Sequence, residues 1–115
     1  MTDLADRPIL NYRESETPLS EKEINDFLKE LPGWNIVERE GMSRLEKSFP
    51  FGKFREAMDF ANQVADLAEK ADHHPAILVD SKRTAVSWWT HIFKRLHPND
   101  FIMAARTEAL FQNLS

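Results

Sequence analysis

The apolar residues of this chain switch back and forth between two spacings, and that alternation restricts its architecture more than any other feature. Ile24, Phe27, Leu28 and Leu31 recur at helical intervals, which lays one apolar stripe along a helix. Trp34 to Glu40 and Ser43 to Phe49 then flank Gly41, with Leu45, Lys47 and Phe49 on one face of the second run, a pattern that predicts a β-hairpin. From about Phe51 to Lys70 the helical spacing returns. Phe54, Ala57, Met58, Ala61 and Ala65 form one stripe and Phe60, Val64 and Leu67 a neighbouring one, so broad a surface that burial on more than one side is expected. Ala76 to Asp80 and Thr84 to Thr90 are rich in β-branched or aromatic residues and are separated by Ser81-Lys82-Arg83, predicting a second antiparallel pair. A last helix carries Ile102, Met103, Ala105, Ala109 and Leu110 and runs to about Phe111.

Local signals mark where these elements begin and end. Ser20-Glu21-Lys22-Glu23 has the form of a capping box, in which the serine oxygen accepts an early helical amide and the glutamate reaches back to the cap. Pro32-Gly33 closes that first helix. His97 is a weak cap before Pro98, which suits a first helical position, and Asp100 falls in the first turn, where a carboxylate meets the helix dipole. The order helix, strand, strand, helix, strand, strand, helix predicts an α+β fold: a four-stranded antiparallel sheet with three helices packed on one face. The other face must meet water or a second subunit. Trp88 and Trp89 point to opposite faces of their strand, so self-association is expected.

Residues 1–18 lack periodicity and contain Pro8 and Pro18; they read as an extended or disordered arm in which Ile9, Leu10 and Tyr12 are the residues able to dock. Residues 19–115 then form one domain, with 42% hydrophobic residues supplying a modest core. A net charge of −4 argues against nucleic acid as a partner. The absence of cysteine excludes disulfides and thiolate chemistry. No apolar run resembles a signal peptide or a membrane span, so a cytoplasmic protein with no membrane partner is expected.

The residues best suited to chemistry gather in Glu69-Lys70-Ala71-Asp72-His73-His74-Pro75, followed by His91 and Asp100. Imidazole gives and takes protons near neutral pH without a large environmental shift. In the predicted topology Glu69 ends the second helix, His73 and His74 lead into the third strand, and His91 ends the fourth. Convergence then follows if those strands pair. Asp100 suits an orienting role towards an imidazole. A metal site is not expected, because adjacent histidines in extended backbone point apart and no helical HExxH spacing occurs. Taken singly, each histidine has a plainer reading as a polar residue at a turn or a strand end.

The whole spacing, Glu-x-x-x-His-His-Pro, a histidine 16 residues after the proline and an aspartate nine further on, resembles the pterin-4a-carbinolamine dehydratase family. The resemblance runs from about Leu19 to Leu110 and includes Leu31 to Trp34 and Asn99 to Ile102. It implies dehydration of 4a-hydroxytetrahydrobiopterin to quinonoid dihydrobiopterin, with a pterin as substrate and neither metal nor organic cofactor. By position it implies that His73, His74 and His91 are the acid-base and pterin-contacting set, that Glu69 and Asp100 support them, and that Trp34 helps to wall the site. It also implies homodimers or homotetramers.

Three positions depart from the family pattern. Ser81 stands where an aromatic residue is common, Lys94-Arg95-Leu96 replaces a Gly-Gly-Leu turn, and His97 replaces a Ser or Thr cap. Two bulky cations restrict a turn that a glycine pair leaves open, and both the serine and the cations are expected to alter the site's surroundings. They raise a second, noncatalytic reading, since the family includes dehydratase-like proteins that act by binding proteins, among them a RuBisCO assembly factor of α-carboxysomes. RuBisCO would be the partner in that case, and Lys94-Arg95, the arm and the Trp88-Trp89 strand the binding surface.

Overall fold

The computed structural model describes residues 4–10, 18–90 and 95–114. Its main elements are α1 (Glu21–Lys29), β1 (Asn35–Arg39), β2 (Met42–Pro50), α2 (Phe54–Ala71), β3 (Ala76–Asp80), β4 (Arg83–Trp88) and α3 (Pro98–Gln112). The expected order and class are both observed. The strands pair antiparallel throughout, in the order β1-β2-β4-β3. The capping box forms as expected, Glu23 N–H donating to Ser20 Oγ at 3.1 Å and Ser20 N–H to Glu23 Oε1 at 3.0 Å.

The register aligns Ile36, Leu45 and Trp88 across three strands, and Phe49 opposite Thr84. Partners directly across a sheet share a face, so Leu45, Phe49, Thr84, Val86 and Trp88 all point into the helical layer, where they are buried. Phe49, Phe60 and Phe111 pack with ring centroids 4.9–5.9 Å apart, joining β2, α2 and α3. Thr84 Oγ1 donates to Ala57 O at 2.7 Å, tying β4 to the first turn of α2. On the outer sheet face, the Arg44 guanidinium lies 3.8 Å from the Trp89 ring centroid while Leu78 stays exposed. Trp88 and Trp89 therefore divide between the two faces.

One expectation about the helices needs correction. In α2 the buried residues are Ala57, Phe60, Ala61, Val64 and Ala68, whereas Phe54, Met58 and Ala65 of the expected stripe are exposed. The helix has one side against the sheet and α3, and its other side is uncovered within the protomer. Conversely, α3 is buried nearly all round in its first turns, from Asn99 through Ala104. One side meets the sheet and the other is covered by a short 3-10 turn at Leu4–Asp6. Leu4 joins the core, and Ile9 packs against it. Tyr12 lies outside the described residues.

Candidate active site

Helix α2 ends in a left-handed turn that launches the two histidines. Asp72 takes φ 51° and ψ 44°; its N–H donates to Glu69 O at 3.3 Å, and His73 N–H reaches back to Ala68 O at 3.2 Å. That bond pair is a Schellman motif, with aspartate in the position glycine usually takes. The chain then extends through Pro75 into β3, so successive side chains turn to opposite sides. His73 faces in and His74 faces out.

The two imidazoles end in different environments. The His73 side chain is 5% exposed and its Nε2 lies 2.7 Å from Oδ1 of Asp100, itself 0% exposed. Asp100 Oδ2 accepts from Thr90 Oγ1 at 2.9 Å and from His97 N–H at 2.8 Å. With this carboxylate accepting throughout, the network assigns the proton to Nε2 of His73. The ring also stacks on Trp88, with centroids 5.6 Å apart and planes 6° from parallel; Trp88 is held in turn by Nε1 donating to Thr107 Oγ1 at 3.1 Å. Edge and face of the His73 ring are thus both fixed by core groups. His74 is 54% exposed, with Nε2 2.9 Å from Oε1 of Glu69, which is 75% exposed. This outer pair borders solvent.

Four of the expected residues form two pairs, Glu69–His74 outside and His73–Asp100 inside, on either side of the turn between α2 and β3. His91 and Lys94 lie outside the described residues. Thr90 and Arg95, flanking them, form an isolated antiparallel bridge, and Arg95 and Leu96 line a cavity of about 140 Å³ with Leu19, Ile24, Ile36 and Ser43. Trp34 has contacts of its own, with β2 and α3. It is buried, edge-on to Phe49 at 5.8 Å, and its Nε1 donates to Glu108 Oε1 at 3.1 Å. Ser81 is placed differently from expectation: it sits in the turn after β3, a full strand beyond His74, or about 20 Å at ~3.3 Å per residue. Within the protomer it does not border His73 or His74. His97 caps α3 through Nδ1, which accepts from Asn99 N–H at 3.0 Å.

Sequence spacing missed Thr90, Trp88 and Asn99. The first two hold Asp100 and His73, and only the pairing of β4 beside β3 reveals them. Among the described residues no group of three or more His, Asp or Glu is arranged to hold a metal ion, and no helix is long and apolar enough to cross a membrane.

Comparison with known proteins adds a family to this geometry. The family model described as pterin 4 alpha carbinolamine dehydratase matches residues 17–110. The chain belongs to the pterin-4-alpha-carbinolamine dehydratase family. A Chlorobium luteolum relative, named "Putative pterin-4-alpha-carbinolamine dehydratase", is 46% identical over 114 residues, covering 99% of this chain and 100% of its own. A Vibrio cholerae relative of the same name is 47% identical over 92 residues, 80% of this chain and 84% of its own. The crystal structure of a transcriptional coactivator/pterin dehydratase from Brucella melitensis superposes with a TM-score of 0.73 at 35% identity, covering 82% of this chain and 98% of that one. A pterin dehydratase-like protein identified as a RuBisCO assembly factor in the alpha-carboxysome shares the fold at 22% identity and a TM-score of 0.57, covering 69% of this chain and 89% of its own. The dehydratase family thus spans almost the whole domain that carries the two pairs.

Proposed function

We propose that the protein dehydrates 4a-hydroxytetrahydrobiopterin to quinonoid dihydrobiopterin by histidine acid-base catalysis. The observation that carries this reading is the pairing of an accessible Glu69–His74 couple with a buried His73–Asp100 couple, in a chain of the dehydratase family. The reaction needs two proton movements in opposite senses. The C4a–O bond breaks with its electron pair and the leaving oxygen takes a proton, so that water departs; the ring N–H gives up a proton and its electrons form the new C=N bond. No electrons enter or leave overall.

His74, solvent-facing and backed by a carboxylate, is suited to exchange a proton directly with a bound pterin. Its Glu69 partner, 2.9 Å away, orients the ring. His73 is clamped at its edge and face, and serves to hold the inner wall of the site and the Asp100 network in register. By motif position His91 is assigned as the third acid-base residue, and Trp34 as a wall of the pterin site. The protein works without metal or organic cofactor, in the cytoplasm, as a homodimer or homotetramer. Exposed Phe54 and Met58 on α2, and Leu78 on the outer sheet face, offer apolar surface for that assembly.

The decisive experiment is the rate of 4a-hydroxytetrahydropterin dehydration with purified protein. The rate should exceed the buffer rate, and His74→Ala or His91→Ala should remove most of the acceleration. Wild-type protein no faster than buffer would overturn the enzymatic reading in favour of the noncatalytic one, a protein-binding role such as RuBisCO assembly.

A further inference from the structure

The first turn of α3 is held from two sides at once. On its inner side Asp100 binds His73. On its outer side Asn99, fully buried, grips the N-terminal segment at residue 10: its Oδ1 accepts from Leu10 N–H at 2.8 Å and its Nδ2 donates to Leu10 O at 3.0 Å. A side-chain amide that answers both polar groups of one backbone residue acts as a two-point clamp. The same segment is fastened again further along the helix, where Arg106 donates from Nε to Ala5 O at 3.1 Å and from its terminal guanidinium nitrogen to Arg7 O at 2.8 Å. Leu4 anchors the end in the core, and Arg7 lies 5.8 Å from the Phe27 ring centroid. Residues 4–10 are thereby a built strap along α3.

We infer that Asn99 is a positioning residue for the site: through the strap it fixes the N-terminal turn of α3, and through that turn it sets the Asp100 carboxylate against Nε2 of His73. The chain of contacts is direct. Asn99 and Asp100 are adjacent, Asn99 N–H is held by the His97 imidazole, and His97 N–H is held by Asp100. Movement of Asn99 is therefore movement of the Asp100 backbone. The kinetic consequence rests on the dehydratase reading, whereas the geometric one does not.

The test uses the full-length protein with two variants: Asn99→Ala, which removes the clamp from the helix side, and Leu10→Pro, which removes the clamped N–H while leaving α3 untouched. Leu10 is 38% exposed and outside the helices, so this second variant keeps the question open if the first fails to fold. The readouts are solvent exchange of the His73 imidazole N–H by proton NMR, kcat and KM for dehydration, and melting temperature. In both variants the His73 proton should exchange about tenfold faster, the equivalent of one weakened buried hydrogen bond, with kcat lowered and KM nearly unchanged. A fall in melting temperature with exchange and kcat at wild-type values would overturn the inference. So would accelerated exchange in Asn99→Ala alone, since Asn99 would then act without the strap. If wild-type protein proves inactive, the dehydratase reading falls, and the exchange rates still decide this one.

Discussion

His73 Nε2 and Asp100 Oδ1 meet at 2.7 Å, 27 residues apart in sequence and out of solvent. Burying two such groups costs free energy unless every polar atom is answered, and Asp100 is answered three times, by His73, Thr90 and His97 N–H. Asp100→Asn keeps the shape but offers one acceptor oxygen in place of two. Unfolding in urea should show a loss of about 2–4 kcal/mol, typical of breaking a buried hydrogen-bonded pair, and kcat should fall by roughly 100-fold, as when a group that positions the substrate is displaced by about 1 Å. Wild-type kcat in this variant would remove Asp100 from the site.

The outer pair should behave in the opposite manner. Glu69 and His74 are exposed, and an exposed ion pair contributes at most about 1 kcal/mol. His74→Ala should therefore leave the urea midpoint within about 0.5 kcal/mol of wild type while removing most of the dehydration rate. Equal loss of stability and activity would mean that His74 has a structural role.

Much of this arrangement was legible from residue order. The alternation of spacings specified the elements and their sequence, and the capping residues placed the start of α1 and α3 where they occur. Adjacent histidines before a proline had to diverge, and they do. What residue types could not reveal were contacts made by backbone atoms. Leu10, Ala5 and Arg7 are bound to Asn99 and Arg106 through their amide and carbonyl groups, which leave no trace in the side-chain pattern. Spacing also could not say which of two neighbouring stripes on α2 would face the sheet. Phe54 and Met58 share their period with Ala57 and Ala61, and only the last two are covered.

The turns carry correctable strain. Glu40 and Ser81 adopt φ of 53° and 54°, the left-handed region that costs an ordinary L-residue about 1–2 kcal/mol. Glu40 precedes Gly41, itself at φ 78°, so Glu40→Asn creates the Asn-Gly pair favoured in two-residue hairpins. Glu40→Asn and Ser81→Gly should each raise stability by about 0.5 kcal/mol, seen as a shift in urea midpoint at constant slope. Because both lie in hairpin turns away from the histidine pairs, dehydration rates should stay at wild type.

Glu108 ties the acid stability of the fold to the Trp34 corner. Burial alone would push its carboxyl up. Hydrogen bonds from Lys47 and Gln112, the Lys47 charge and a bond from Trp34 outweigh that cost and hold it below the usual carboxylate range. Lys47 Nζ lies 2.5 Å from Oε1, and Trp34 Nε1 shares the same oxygen at 3.1 Å. A carboxyl depressed in the folded state adds stability that is fully present above its unfolded pKa, about 4.3, and is lost as pH falls through the lower folded value. Glu108→Gln should therefore be less stable than wild type at pH 7, by about 1–2 kcal/mol for a charge-assisted bond. The gap should close as pH falls through the lowered folded value, where the wild-type carboxyl takes up its proton. Paired urea titrations from pH 3 to 7 test this, and a gap independent of pH would assign the loss to packing around Trp34 instead of to the charge.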